Sequence, residues 1–483
     1  MDELHFFAKY ACNLTAENFP SLTGRRRTHV TTDTEVLLLG DSHGWGQGSP
    51  EYDDHSASRP HMAAPYSNGF FSKLRQHIIG KYGWYVADSG QVESSHPLAG
   101  FAPVSGGGKV VRMTRPISDK YDAAGIYAPR ASEQDDREIW GYLATDHKFS
   151  EELIALPSRP AEESALYWDM TSYATKLYIG AVASSWGARL EVSFEPYGAS
   201  KGLAAGYVYP PREGYPQVTR LVSGRHAPAV GDEVEVLQGQ RIVIDTYFAG
   251  GEAEVVYCID FGQKQKGRLR FAQAGANTKA KSFEPEHDQL SCPIVALRGV
   301  VFDGNNVRNF SMGGHTVGQW LGDGTPSYND ESQAHMDQLL RYVPFTPTLV
   351  VIQAPIVNEY LRQTPLAVFT SHLHDLTDKL SRHLNMDGKK RTDFLFLTTP
   401  GDKRIMFQNE PSAPIRYEDY YESAREFARA SGAGFIDFAQ YFESCVHDGI
   451  LDYELLFDDP IHPSPFVNEF IARRLSQAID LLM

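Results

Sequence analysis

Short apolar runs recur toward both ends of this chain. Val36 to Leu39, Leu349 to Ile352 and Phe394 to Leu397 show no polar alternation, and Gly434-Phe435-Ile436-Asp437 is a shorter run of the same kind. Such runs predict parallel strands buried on both faces. A further strand is predicted near Val307 to Phe310. Between these runs apolar residues recur at the helical period. The period predicts helices over Gly69 to Ile79, with Phe70, Leu74, His77 and Ile78 on one face, over 366–384 and 417–430, and over Phe466 to Leu482. Five strands separated by helices predict an α/β fold with a doubly wound, five-stranded parallel sheet.

The pattern differs in the middle of the chain. In Leu190-Glu191-Val192-Ser193-Phe194-Glu195 apolar and polar positions alternate, the signature of a half-buried strand. Leu177 to Ala183, Val234 to Leu237, Arg241 to Phe248, Glu254 to Phe261 and Val295 to Phe302 are similar runs, punctuated by Gly, Pro and Asn. Short strands at this spacing predict a β-sandwich, jelly-roll-like. Residues 88–165 are rich in Gly, Pro, Ser and charge, which is long for a structureless loop, so part of the stretch is assigned to the β region. The expected division is 1–105 and 303–483 for a discontinuous α/β domain, and 106–302 for an inserted β domain.

Length supports more than one core, since 483 residues exceed what one ordinary core accommodates. The 45 basic and 61 acidic residues leave a net charge of −16. That balance argues against nucleic acid as a general partner and against anionic membrane surfaces. No run of about 18 apolar residues predicts a membrane span. The start, Met1 to Phe7, lacks the basic and apolar segments of a signal peptide, so a cytoplasmic location is expected. Cys12, Cys258, Cys292 and Cys445 are too scattered for a zinc pattern or a disulfide framework.

Chemistry-bearing residues follow the strand-like runs. Gly40-Asp41-Ser42 ends the first run and precedes the Gly-rich turn His43 to Gly48. Asn309 to Thr316 contains Gly313 and Gly314, and Val357-Asn358-Glu359 follows the third strand. Asp459-Pro460-Ile461-His462-Pro463 precedes the last helix. Serine chemistry needs a hydroxyl, an imidazole to take its proton and a carboxylate to orient the imidazole. Taken singly, each segment also has a plain structural reading. Ser42 suits a helix cap, Asp459 and His462 an exposed acidic loop, and Gly314 and Asn358 ordinary turns.

In their order, the four segments resemble the four blocks of the SGNH (GDSL-type) hydrolases. The resemblance implies a three-layer α/β/α, flavodoxin-like domain. It implies Ser42 as nucleophile, His462 as general base and Asp459 as the carboxylate that orients His462. Only Asp459, not its neighbour Asp458, has the Asp-x-x-His offset. Asp41 is expected to support its turn. The Ser42 N–H, the Gly314 N–H and the Asn358 amide are the implied oxyanion donors, worth roughly 3 kcal/mol each. No metal or organic cofactor is implied. Two departures stand out: Ser311 occupies the first glycine position of the second block, and the third block reads Pro355-Ile356-Val357-Asn358-Glu359 where Gly-x-Asn-Asp is usual.

Members of this family act on acylated sugars, lipids, thioesters and phospholipids, and many carbohydrate O-acetyl esterases among them carry a β-sandwich. The resemblance therefore implies a serine esterase that forms an acyl-enzyme, with an acylated small molecule or glycan as substrate and O-acetyl groups on a saccharide as the expected target. Trp45, Tyr52, Tyr66 and Trp320 are expected to stack on sugar rings. A lipase, thioesterase or general carboxylesterase is the alternative enzyme, and a carbohydrate-binding or structural protein with an inert hydrolase domain is the alternative of another class. His372-Leu373-His374-Asp375 has a metal-like spacing, but positions i and i+2 of a helix point about 200° apart. A solvated helix face is expected there.

Overall fold

The structure, a computed structural model, describes residues 3–24, 34–46, 68–82, 111–114, 152–157, 165–169, 174–196, 212–222, 225–228, 234–237, 241–250, 253–265, 267–282, 292–302, 306–309, 311, 313–323, 347–384, 392–401, 414–457 and 461–483. The chain opens with α1 (Glu3–Tyr10), β1 (Ala11–Cys12) and α2 (Pro20–Gly24). Then come β2 (Glu35–Leu39), the helical turn α3 (Ser42–Trp45) and α4 (Phe70–Tyr82). Twelve strands follow: β3 (Val111–Thr114), β4 (Glu152–Pro157), β5 (Ala165–Asp169), β6 (Ala174–Ala183), β7 (Ala188–Pro196), β8 (Gln217–Val222), β9 (Arg225–Pro228), β10 (Val234–Leu237), β11 (Arg241–Asp245), β12 (Ala253–Gln265), β13 (Gly267–Ala276) and β14 (Ile294–Phe302). The α/β pattern resumes with β15 (Asn306–Asn309), α5 (Val317–Leu321), β16 (Leu349–Gln353), α6 (Ile356–Leu361), α7 (Leu366–Leu384), β17 (Asp393–Thr398), α8 (Tyr417–Ser431), β18 (Gly434–Asp437), α9 (Phe438–His447) and α10 (Pro465–Leu482).

One sheet runs in the order β1-β18-β17-β16-β2-β15. All its pairings are parallel except that of β1 with β18. Successive residues of its strands enter opposite cores, as the pleat requires. Leu37, Leu39, Val350, Ile352 and Phe396 join one cluster with α5, α6, α7 and α8. Val36, Leu38, Val351, Leu395 and Leu397 join the other with α1, α4, α9 and α10. The unbroken apolar runs thus serve two cores at once, each buried Leu, Ile or Val contributing about 1.5–3 kcal/mol. The result is a three-layer α/β/α arrangement. Counted along the chain, the parallel strands lie in the order 2-1-3-4-5. In that topology the connections leave in opposite directions on either side of the β2/β16 pair, which opens a crevice at the carboxyl ends of those two strands.

The strands between β3 and β14 form a five-stranded sheet, β10-β11-β7-β13-β5, and a seven-stranded sheet, β3-β4-β14-β6-β12-β8-β9. Both are antiparallel. Leu177, Ile179 and Ile259 of the larger sheet share one cluster with Leu190, Val192, Ile242 and Ile244 of the smaller. The expected boundary at residue 106 lies outside the described residues. The chain returns from β14 to β15 within a few residues.

The structure adds one strand to the expected sheet. β1 is only two residues long, too short to show a period, and pairs through its backbone at the sheet edge. Among the described residues, no helix is long and apolar enough to cross a membrane, and no disulfide joins the four cysteines.

Candidate active site

The nucleophile candidate stands where the topology opens its crevice. β2 ends at Leu39, and Ser42 begins α3 two residues after Gly40. Asp41 caps that turn, its carboxylate accepting the His43 N–H at 2.9 Å. The Asp41 N–H donates to Gln353 Oε1 at 2.9 Å, which ties the end of β2 to the end of β16. The turn is tightly packed. A Cβ at Gly44 would come within 2.5 Å of the Ser311 hydroxyl and 3.0 Å of the Phe71 ring. The serine in place of the usual glycine of the second block is therefore accommodated by the missing side chain of Gly44.

His462 approaches from the segment before α10. Its Nε2 lies 3.0 Å from Ser42 Oγ. The two residues are 8% and 9% exposed, so water is largely excluded from the contact. The backbone just after His462 is pinned. Phe457 bridges Pro463 in antiparallel fashion, Ser464 caps α10 by accepting the Val467 N–H, and its hydroxyl donates to Leu455 O at 2.6 Å. The Asn468 amide donates to Pro463 O at 2.8 Å. A serine cap with proline at the first helical position starts a helix firmly, so the imidazole hangs from a fixed turn. The His43 ring meets that of His462 edge-on at 5.5 Å, and its Nδ1 lies 2.8 Å from the Thr399 hydroxyl at the end of β17.

Asn358 sits in the first turn of α6, at the carboxyl end of β16, and is buried. Its amide donates to Asp41 Oδ2 at 2.9 Å. A carboxylate only accepts, so this bond fixes the amide with its nitrogen toward the Ser42 turn and uses one of its two N–H groups. Burial pushes the Asp41 carboxyl up to about 6, against the pull of the His43 N–H, the nearby His462 and the Asn358 amide. Gly314 has φ +76°, a left-handed conformation that glycine adopts without penalty. Glu359, in the usual place of aspartate, is fully buried and accepts the Val317 N–H at 2.8 Å. The longer side chain thus links α6 to the start of α5, directly after the Gly313–Thr316 segment. Burial raises its carboxyl to about 7, opposed by the Thr364 hydroxyl, the Val317 N–H and Arg362.

The structure brings Ser42 and His462 into contact and links Asn358 to their turn. Asp459 and Asp458 lie outside the described residues. Two residues expected to stack on sugars do not line a surface: Trp45 and Trp320 are 0% and 1% exposed. Trp320 packs in the core between α5 and the sheet, because burying a large indole in an apolar core gains more than leaving it in water. Tyr52 and Tyr66 lie outside the described residues. His374 is exposed on α7 against the Phe427 ring, and no metal-binding cluster is present among the described residues.

Gln353, Thr399, His315 and Arg362 were not singled out from sequence. Gln353 carried the clearest signal, a polar residue closing an apolar strand at its carboxyl end. Chemically, the arrangement offers a hydroxyl beside an imidazole nitrogen, with the Asn358 amide tied to the residue before the hydroxyl, a combination suited to nucleophilic acyl transfer.

No protein-family model matches the chain, and no curated protein matches it. Among solved structures it is similar to a peptidoglycan O-acetylesterase over 98% of both chains, at 12% identity and a TM-score of 0.45. It is similar to a family two carbohydrate esterase from Clostridium thermocellum over 68% of this chain and 94% of that one, at 12% identity and a TM-score of 0.25. It is also similar to the acetyl xylan esterase AlAXEase over 36% of this chain and 81% of that one, at 16% identity and a TM-score of 0.27. The segments carrying Ser42, Gly314, Asn358 and His462 stand in the block order of the SGNH (GDSL-type) hydrolases, on a three-layer α/β/α fold of the kind that family has.

Proposed function

We propose that this chain is a serine carboxylic ester hydrolase that removes O-acetyl groups from a saccharide or glycan. The observation that carries the reading is the 3.0 Å approach of His462 Nε2 to Ser42 Oγ at the carboxyl end of β2. In this reading Ser42 Oγ attacks the ester carbonyl while His462 takes its proton. The tetrahedral oxyanion is held by the N–H groups of Ser42 and Gly314 and by the Asn358 amide. The intermediate collapses to an acetyl-enzyme, and His462 returns the proton to the departing sugar oxygen. Water, deprotonated by His462, then releases acetate and restores Ser42. Asp459 is assigned the orientation of His462.

A short acyl group is favoured because Ser42 and the whole α3 turn are buried around the hydroxyl. The β3–β14 region lies in the chain between α4 and β15, the strand that precedes the Gly314 segment. We assign that region, taken as an insert over 106–302, the shaping of substrate choice.

The test is hydrolysis of p-nitrophenyl esters of increasing chain length beside acetylated glycans, with Ser42→Ala in parallel and fluorophosphonate labelling mapped to its residue. Acetate preferred over long acyl chains, glycan deacetylation and label on Ser42 are the expected results. Activity that rises with chain length would move the reading to a lipase. Label on another serine would sink the assignment of the nucleophile.

A further inference from the structure

Gly314 is held by two side chains that have no part in the steps above. The Gly313 carbonyl and the Gly314 N–H belong to the same planar peptide unit and point in opposite directions. The buried His315 ring lies with Nδ1 2.8 Å from Gly313 O. A carbonyl can only accept, so Nδ1 carries the proton of this bond. Holding that carbonyl sets the direction of the Gly314 N–H. The next carbonyl, Gly314 O, accepts from Arg362 Nη2 at 2.9 Å. Nη1 of the same guanidinium lies 3.4 Å from Asn358 O. One half-buried arginine therefore joins the backbones of two residues on separate segments, both of which the proposed esterase reading makes oxyanion donors.

Glycine at φ +76° has no side chain to hold its peptide planes. The two planes flanking Gly314 are fixed from outside, one by an imidazole N–H and one by a charge-assisted bond, the stronger kind. Glu359 anchors the far end of the segment through Val317.

We propose that His315 and Arg362 are positioning residues for the oxyanion site: His315 aims the Gly314 N–H, and Arg362 sets the spacing between Gly314 and Asn358. The inference rests on the esterase reading. Neither residue is given a substrate contact in the steps above, so their loss is expected to act on the transition state more than on binding.

The experiment measures kcat and KM for p-nitrophenyl acetate, with thermal melting alongside, for the full chain and for His315→Ala, His315→Asn, Arg362→Ala, Arg362→Lys and Ser42→Ala. The alanine variants are expected to lose about 10–100-fold in kcat with KM nearly unchanged. His315→Asn, whose amide nitrogen can replace Nδ1, and Arg362→Lys, which keeps one charged donor, are expected to recover part of kcat. Unchanged kcat in the alanine variants, a loss that falls wholly on KM, or a loss that the conservative variants do not recover would each overturn the inference. If an alanine variant does not fold, a non-hydrogen-bonding replacement of similar size takes its place, His315→Leu or Arg362→Met, and its kcat and KM are read by the same criteria. A parent chain without hydrolysis, or a Ser42→Ala variant that keeps it, overturns the esterase reading and the inference together. Hydrolysis lost in Ser42→Ala but retained in full by the other variants overturns the inference alone.

Discussion

Ser42 meets His462 across a single 3.0 Å contact, whereas Asn358 and Gly314 are held through intermediaries. On the first side each residue hangs from its own capped turn, and the two side chains meet directly. On the second side a buried carboxylate, a guanidinium and an imidazole orient groups that cannot orient themselves. Asp41 and Glu359 are carboxyls buried beyond the reach of water, and burial raises both well above their ordinary range. Orientation of the Asn358 amide and anchoring of the segment that follows Gly314 are thus obtained by desolvating charge, which opposes folding. The Ser42–His462 pair needs one contact between two capped turns, whereas the proposed set of amide donors needs several cross-links between separate segments.

The largest effect is expected on the directly contacting side. Ser42→Ala and His462→Ala should each lower kcat by about 10⁴-fold or more, and the double variant should be little worse than either. Single-turnover assays of all three check this. Losses that multiply in the double variant would show that the two residues do not act as a unit. Next comes the donor itself. Asn358→Ala is expected to cost about 10²–10³-fold in kcat with KM nearly constant. Parent-like kcat would remove the amide from the oxyanion site.

A smaller loss is expected one step further back. Asp41→Asn replaces an obligatory acceptor by a group that can also donate, which frees the Asn358 amide to turn over. A fall in kcat of about 10–100-fold is expected, with the structure of the variant showing the Asn358 amide reversed. An unaltered amide with full activity would break the contrast between the two sides.

The smallest effect concerns stability. Burial pushes the Glu359 carboxyl up to about 7 from its ordinary value near 4.5, so between those values the folded state holds a proton that the unfolded state has released. Stability from this group is present below the unfolded value and is lost as pH rises through about 7. Glu359→Gln, which can still accept the Val317 N–H, should flatten that decline. Melting curves at pH 5 and pH 8 are expected to show the variant gaining on the parent by a few degrees at the higher pH. No such gain would mean that Glu359 ionises without penalty.

The fold was legible where burial is two-sided. Val36 to Leu39 and Leu349 to Ile352 feed both cores, so every residue is apolar and the strand declares itself. The helices α7, α8 and α10 begin and end within a residue or two of their predicted limits, because a long amphipathic face is a strong periodic signal. The antiparallel sheets were read less completely. β13, Gly-Arg-Leu-Arg-Phe-Ala-Gln-Ala-Gly-Ala, alternates with Leu269 and Phe271 inward, but small residues dilute its pattern. β5, β8 and β9 lie among turns and charges, and only their partners identify them as strands.

By itself the sequence determined the α/β character, the placement of Ser42, Gly314, Asn358 and His462 in four ordered segments, and the change of pattern in the middle of the chain. It did so because burial on one or two faces writes a period into the residues, and because reactive groups sit where strands end. Only the tertiary structure decided that Trp45 and Trp320 belong to the interior, since an aromatic residue looks the same in sequence whether it faces a core or a ligand. Only the structure placed Gln353 against Asp41, and Arg362 between Gly314 and Asn358. These partners meet across strands and helices brought together by the 2-1-3-4-5 order of the sheet, and a hydrogen bond between distant residues leaves no period in the chain that makes it.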